Sequence, residues 1–126
     1  MDFALPDDDV GLLNNTFPSR WKTIVSTVER GIVISRYALP VGYTLSEVEI
    51  MILIPQDYPM AQLDMFYLSP DVAKTNGNAI GAVSNELHFN RQWQRWSRHY
   101  QWQVGINNIA THLGVVKNAL ETELLK

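Results

Sequence analysis

Cysteine is absent from the 126-residue sequence. This absence excludes a disulfide framework, a cysteine-ligated zinc ion and a thiol nucleophile. No apolar run reaches the roughly 18 residues of a membrane-spanning helix, so we expect no contact with a membrane. The first ten residues are acidic and have no hydrophobic centre, which is untypical of a signal peptide. We therefore expect a soluble protein of the cytoplasm.

An excess of positive charge is absent as well. Ten lysines and arginines stand against 13 aspartates and glutamates, and the net charge is −3. An acidic protein is a poor partner for a polyanion, so nucleic acid is not expected to be the main ligand. Hydrophobic residues make up 46% of the chain, which suffices for an ordinary globular core. The length suits one domain, and we expect residues 1–126 to form a single domain.

The first half of the chain has the pattern of a helix followed by a sheet. Pro6 and the three aspartates that follow it are typical of a helix start, where carboxylates can cap free N–H groups. Four segments then alternate in polarity or are rich in β-branched residues: 21–29, 32–39, 47–54 and 63–68. A tight turn is predicted at Arg30 and Gly31, between the first two. Short turns between successive strands predict an antiparallel meander.

The second half contains a long polar stretch and a helix. Residues 69–80 predict an irregular loop, and a further extended segment or hairpin is expected within 86–99. Apolar residues then recur at helical spacing. They are Ile106, Ile109, Ala110, Leu113, Val116, Leu120 and Leu124. Asn107 or Asn108 would cap this helix, and Gly114 would mark a close approach to the sheet. The predicted fold is α+β, with an N-terminal helix, a four-stranded antiparallel meander, an irregular segment and a C-terminal helix.

The chemically richest stretch is LHFNRQWQRWSRHYQW, from Leu87 to Trp102. His99 follows Ser97 by two residues, and residues at that spacing face the same side of an extended chain. A neutral imidazole there could take the proton of the serine hydroxyl. Arg95 shares that side, Arg98 faces away unless the backbone turns, and either guanidinium could stabilise developing negative charge. Two other interpretations stay open: Ser97 is a solvated surface hydroxyl, or it replaces a native cysteine.

The same stretch contains residues of other kinds of site. Its larger rings are Trp93, Trp96, Tyr100 and Trp102. They could stack bases beside the arginines, or alternate rings could pack on the core with the arginines outside. The acidic total favours packing. A zinc site of His88, His99 and His112 lacks a ligand-spacing motif. The three aspartates after Pro6 are better explained by a helix start than by a metal cluster. We therefore expect no metal and no cofactor.

Two strings resemble the ubiquitin-conjugating enzyme fold. The first is IPQDYPMAQLDMFYLSP, residues 54–70, which is similar to the P-x-x-Y-P link between that family's third and fourth strands. Gln62 or Leu63 stands where a proline is usual. The second is the tripeptide 88–90, His-Phe-Asn, which resembles the His-Pro-Asn that precedes the family's nucleophile. Ser97 follows it closely.

Further strings narrow the resemblance. Trp102, with Val104 in place of a proline, is similar to the family's Trp-x-Pro element. LPDDD, YALPVGY, DYP with DMFY, and QRWSRH followed by a tryptophan and a THL helix occur in one order along the chain. Together they are similar to the prokaryotic ubiquitin-conjugating-like family E, over nearly the whole sequence.

The resemblance implies an acyl carrier in a bacterial conjugation pathway. The chain would accept the C-terminus of a ubiquitin-like protein from an activating enzyme docked on the N-terminal helix. Ser97 would hold it as an oxyester for transfer to a target amine, with His99 as the base and Asn90 assisting the oxyanion. His88 would hold the loop and Trp102 would brace it. A JAB-type metallopeptidase belongs to such pathways. The alternative is a catalytically inactive variant that binds the ubiquitin-like protein or the activating enzyme.

Overall fold

A computed structural model describes residues 3–126, and the α+β class is confirmed. This part of the chain contains helix α1 (Asp7–Thr16), strands β1 (Trp21–Val25), β2 (Arg30–Ala38), β3 (Glu47–Leu53), β4 (Phe66–Ser69), β5 (Val83–His88) and β6 (Arg91–Trp96), and helix α2 (Ile109–Glu123). Met1 and Asp2, which the single-domain expectation includes, lie outside the described residues. Neither helix within 3–126 is long and apolar enough to cross a membrane.

The six strands form one antiparallel sheet in the order β1-β2-β3-β4-β6-β5. The predicted meander is present as β1 to β4, where each strand pairs with the next. The sheet nevertheless has six strands rather than four, because the hairpin expected within 86–99 forms as β5–β6, begins earlier than predicted, and joins the meander. Strand β6 pairs with β4 and places Trp96 opposite Phe66. Buried Trp93 and Trp96 give this polar-looking strand enough apolar surface to join the sheet.

The turn between β1 and β2 lies at Ser26–Glu29 and not at Arg30 and Gly31, which begin β2. The Ser26 hydroxyl accepts hydrogen bonds from the backbone N–H groups of Val28 and Glu29, and this stabilises the earlier turn. Gly31 is needed inside the strand, since a Cβ there would lie 2.7 Å from the carbonyl oxygen of Ile52. The glycine therefore permits a close approach between strands instead of a turn.

The main core lies between the two helices and one face of the sheet. The alternation predicted for β3 is confirmed, because Val48, Ile50 and Ile52 are all buried on this face. Leu13 of α1 and Val116 and Leu120 of α2 cover them. Leu63 is also buried here, although β4 begins only at Phe66.

The opposite face of the sheet, here called the second face, carries a separate apolar cluster. It consists of Val33, Met51, Tyr67 and Trp93, each at most 4% exposed. No helix covers these residues within 3–126. The tip of the β5–β6 hairpin bends over them, since Phe89 packs on the cluster and His88 lies edge-on to the ring of Tyr67 at 4.8 Å. Met51 of β3 is therefore fully buried on this face.

The helix ends differ in how they are capped. Asn108 caps α2 in a reciprocal arrangement with Thr111, as one of the two predicted residues. At α1 the described contacts include no side-chain cap, and the carboxylate of buried Asp9 accepts the hydroxyl of Tyr58 at 2.7 Å. The close approach predicted at Gly114 is wrong: a Cβ there would meet open space among the described residues.

Candidate functional site

Ser97 immediately follows β6, and its backbone continues the strand by donating its N–H to the carbonyl oxygen of Ala82 at 3.0 Å. Successive side chains continue to point to opposite faces of the sheet from Arg95 to His99. Trp96 and Arg98 reach the α2 side of the sheet, where Arg98 lies over the indole ring and contacts Glu123. Arg95 and His99 both reach the residues just before β4. Ser97, which is half-buried, lies between Arg95 and His99 in this alternation.

His99 has a carboxylate partner that the sequence did not indicate. Its Nδ1 lies 2.7 Å from Oδ1 of Asp64, and its side chain is 65% exposed. A carboxylate accepts hydrogen bonds only, so Nδ1 carries a proton in this arrangement and Nε2 of the neutral ring is left as an acceptor. Among the described residues, no hydrogen bond involves Nε2 of His99 or Oγ of Ser97. No local pattern links Asp64 to His99, because 35 residues separate them.

The two candidate arginines are engaged elsewhere. Arg95 donates to Glu86 at 2.6 Å and lies beside the sulfur of Met65. Arg98 donates to Glu123 and to two backbone carbonyl oxygens, one of them that of Ser97 at 2.9 Å. Arg98 thus fixes the backbone of Ser97, and neither guanidinium is hydrogen-bonded to the hydroxyl.

The tripeptide 88–90 lies far from Ser97. Phe89 and Asn90 have φ of 54° and 60°, the left-handed pair that forms the tight turn between β5 and β6. Strand β6 separates this turn from Ser97, and seven residues of extended chain cover roughly 20 Å. The structure therefore does not bring Asn90 to the serine. His88 lies at the same distant end, between the carboxylates of Glu29 and Glu86.

Aromatic residues hold the segment that follows Ser97. Trp102 donates its indole N–H to the carbonyl oxygen of Pro59 at 3.1 Å and packs beside the rings of Tyr58 and Tyr100. The Tyr58 hydroxyl also accepts the N–H of Ile109, which joins this segment to the start of α2. Trp102 therefore lies where it can brace the chain between Ser97 and α2.

Tyr100 and His112 form a second hydrogen-bonded pair. The Tyr100 hydroxyl lies 2.7 Å from Nδ1 of His112, and Nε2 of that ring lies 3.0 Å from the carbonyl oxygen of Met65. The carbonyl can only accept, so Nε2 carries the proton and the hydroxyl donates to Nδ1. Burial lowers the pKa of His112 and, with the charge of Asp64, raises that of Tyr100 to about 12. His112 is thus a neutral structural residue.

The tryptophans of β6 are not available for stacking with bases. Trp93 and Trp96 are 1% and 0% exposed, with Arg91 over the first ring and Arg98 over the second. These two rings are therefore packed in the interior, as the alternative to a stacking platform expected, although they lie on opposite faces of the sheet. Across residues 3–126, no group of three or more histidine, aspartate or glutamate side chains has the arrangement of a metal site.

The fold and this segment define the class of the protein. An N-terminal helix, an antiparallel meander and a C-terminal helix follow one another in the order that the resemblance to ubiquitin-conjugating enzymes implied, and the hairpin β5–β6 extends the sheet beyond the four strands expected. The family model described as prokaryotic E2 family E matches residues 5–123. The chain belongs to this family, whose general context is the conjugation of ubiquitin-like proteins. No curated protein and no solved structure matches the chain.

Proposed function

We propose that the chain carries the C-terminus of a ubiquitin-like protein as an oxyester on Ser97, between an activating enzyme and a target amine. Family membership supports the two protein partners in general terms. The observation that supports the proposal is the His99–Asp64 pair at 2.7 Å, which orients an exposed imidazole two residues after Ser97. A JAB-type metallopeptidase would act later in the same pathway.

The chemistry follows the pattern of a serine activated by an oriented histidine. In the first step Nε2 of His99 takes the hydroxyl proton while Oγ of Ser97 bonds to the activated carbonyl carbon. The bond to the activating enzyme's leaving group breaks, and that group departs with the proton. In the second step an amine attacks the same carbon, the ester bond breaks, and the proton lost by the amine returns to Oγ. Asp64 would hold the imidazole in the required tautomer.

The test is a charging reaction with the cognate activating enzyme, ATP and the ubiquitin-like protein, followed by a denaturing gel. The proposal expects an adduct that alkali or hydroxylamine cleaves. Ser97→Ala should abolish this adduct, and Asp64→Asn should slow its formation. Ser84→Ala, at an exposed serine of β5, is the matched control and should charge normally. Ser97→Cys should form an adduct readily, because a thiolate is the better nucleophile. That adduct would be a thioester, which thiols cleave.

A specific observation favours a second function, a binding module without chemistry. Arg95 and Arg98 both form ion pairs with carboxylates of this chain, Glu86 and Glu123, and the chain has no thiol. This function predicts a stable complex with the ubiquitin-like protein or the activating enzyme and no adduct on either Ser97 or Ser97→Cys. If only Ser97→Cys forms an adduct, position 97 lies where the ubiquitin-like C-terminus is delivered, but the native serine is not the acyl carrier.

A further inference from the structure

The hairpin tip, residues 88–91, reaches across the second face of the sheet to the turn between β1 and β2. These two segments belong to the opposite edges of the sheet order. His88 nevertheless places Nδ1 2.8 Å from Oε2 of Glu29, in that turn. Arg91 forms an ion pair with Glu49 of β3. Both contacts fasten the bent hairpin over the apolar cluster.

Both ring nitrogens of His88 are in use. Nε2 lies 2.9 Å from Oε1 of Glu86, on the side opposite to Glu29. Ionised carboxylates only accept hydrogen bonds, so each nitrogen must carry a proton for the two contacts to exist together. A neutral imidazole has one N–H and can keep only one of them. The geometry therefore requires the imidazolium form, in a side chain that is 14% exposed.

We propose that His88 is a proton-dependent latch that joins the β1–β2 turn to the hairpin tip and opens when the imidazolium loses its proton. The contact that is lost is the one with Glu29, because Glu86 is on the same strand and only two residues away. The ion pair of Arg91 with Glu49 does not involve His88, so the hairpin stays attached to β3 while the turn is released.

The charged surroundings determine the direction of the response. The groups facing His88 are Glu29 of the turn, Glu86 of β5 with its partner Arg95 of β6, and the Tyr67 hydroxyl of β4. Burial works against the charge, but the hydrogen bonds and charges of Glu86 and Glu29 outweigh it and raise the pKa of His88 above its ordinary 6.5. The bond to His88 in turn lowers the pKa of Glu86 below its ordinary 4.5, although burial opposes this.

The sign of the pH dependence follows from these two shifts. The latch is fully formed below pH 6.5, where both folded and unfolded His88 are protonated, and it is lost as the pH rises through the higher folded pKa. The contribution of Glu86 is present above pH 4.5 and is lost in more acidic solution. The network is therefore most stabilising between about pH 4.5 and 6.5.

Opening of the latch changes access to a groove. Glu29 and Tyr67 line a groove of about 970 Å³, together with Val25, Leu53, Asp64 and Met65. Release of the turn would widen this groove toward Tyr67 and the apolar cluster beneath it. The groove also includes Asp64, the partner of His99, but the latch does not depend on any chemistry at Ser97.

The test combines two NMR measurements on the full chain. The histidine C–H signals, assigned with His88→Gln, His99→Gln and His112→Gln, give the titration midpoint of His88. We expect it above 6.5, lower in Glu29→Gln, and unchanged in the control Glu47→Gln, an exposed glutamate of β3. A midpoint at or below 6.5, or one that Glu29→Gln does not move, overturns the proposal.

Amide hydrogen exchange then reports the opening itself. The N–H of Ser26, which donates to the carbonyl oxygen of Glu29 at 2.8 Å, should lose protection as the pH passes the His88 midpoint. In His88→Gln, or in Glu29→Gln if that variant is the better folded, protection should be low at every pH and show no step. A step of equal size in these variants refutes the latch.

Discussion

Glu123 near the end of α2 is a buried carboxylate on which several segments depend, and its replacement by glutamine should be strongly destabilising. It is 2% exposed. Its Oε2 lies 2.9 Å from Nζ of Lys74, which is 3% exposed, and its Oε1 accepts from Arg98 at 3.1 Å. The N–H of Gly81 is a further donor. The carboxylate therefore ties the loop before β5 and the backbone next to Ser97 to α2.

The magnitude follows from the charge that would be left behind. Removing one member of a buried ion pair costs about 3–5 kcal/mol, because the remaining ion is desolvated without a partner. Glutamine keeps the shape of the side chain and one acceptor oxygen, and Arg98 can turn toward solvent, so we expect about 3 kcal/mol for Glu123→Gln. A domain of this size has a free energy of unfolding of about 5–15 kcal/mol, so the variant should still fold.

The measurement is urea unfolding at pH 7, followed by tryptophan fluorescence and far-UV circular dichroism. Glu121→Gln, two residues away on the exposed side of α2, is the matched control and should change stability by no more than about 0.5 kcal/mol. Lys74→Met combined with Glu123→Leu should cost less than the sum of the single changes, since Lys74 is then no longer left as a buried charge without a partner. A loss below about 1 kcal/mol for Glu123→Gln would show that Lys74 finds water or another partner, and would refute the reasoning.

The same residue has a predictable response to acid. Burial alone would raise the pKa of Glu123, but the hydrogen bonds from Lys74 and Gly81 and the charges of Lys74 and Lys126 outweigh it and lower the pKa. Its stabilisation is therefore complete above the ordinary value of 4.5 and is lost as the pH falls through the lower folded value. The difference in stability between the wild-type chain and Glu123→Gln should shrink in that acidic range.

Four further substitutions test the helices and their connections, each by the free energy of unfolding in urea. Gly114→Ala should stabilise by about 0.5–1 kcal/mol, since a Cβ there meets open space, whereas Gly42→Ala should destabilise, because its φ is +129° and a Cβ would lie 2.8 Å from Leu124. A loss of stability in Gly114→Ala would contradict the prediction that the added Cβ meets open space. Asn108→Ala should cost about 1 kcal/mol by removing the cap of α2, and no measurable change would mean that water replaces it. Tyr58→Phe should cost about 1–3 kcal/mol, because the buried carboxylate of Asp9 and an amide of α2 lose their shared partner. A neutral result would show that these groups are solvated.

Periodicity was sufficient for the elements whose burial is one-sided. The alternation of Val48, Ile50 and Ile52 predicted β3 and its inward face, and helical spacing predicted α2, although the helix begins only at Ile109. For β5 and β6 it gave only a coarse expectation, an extended segment or hairpin within 86–99, because strand β6 carries Gln94 and Arg95 between its two buried tryptophans. Whether such a strand joins a sheet depends on β4, which lies far away in the sequence.

At the candidate site, too, local spacing predicted the neighbouring residues, whereas the fold decided which distant residues come together. Spacing alone led to the expectation that Ser97 and His99 share a side, and the contacts of the neighbouring residues continue that alternation. Resemblance to a tripeptide motif suggested that Asn90 belongs beside the serine, but the tight turn at 89–90 puts it at the other end of β6. Local strings carry the conformation of the chain only over a few residues, so motif order cannot give the distance between motifs.

By itself the sequence determined the α+β class, the main meander and the absence of a thiol, because composition and short-range periodicity carry these properties. The family followed from the resemblance of several short strings in one order along the chain. Only the tertiary structure decided that Asp64 hydrogen-bonds to His99, that Arg98 forms an ion pair with Glu123, and that His88 contacts Glu29 across the sheet. Each of these contacts joins side chains more than 20 residues apart, and their distances depend on how the strands pair and how the sheet packs against α2.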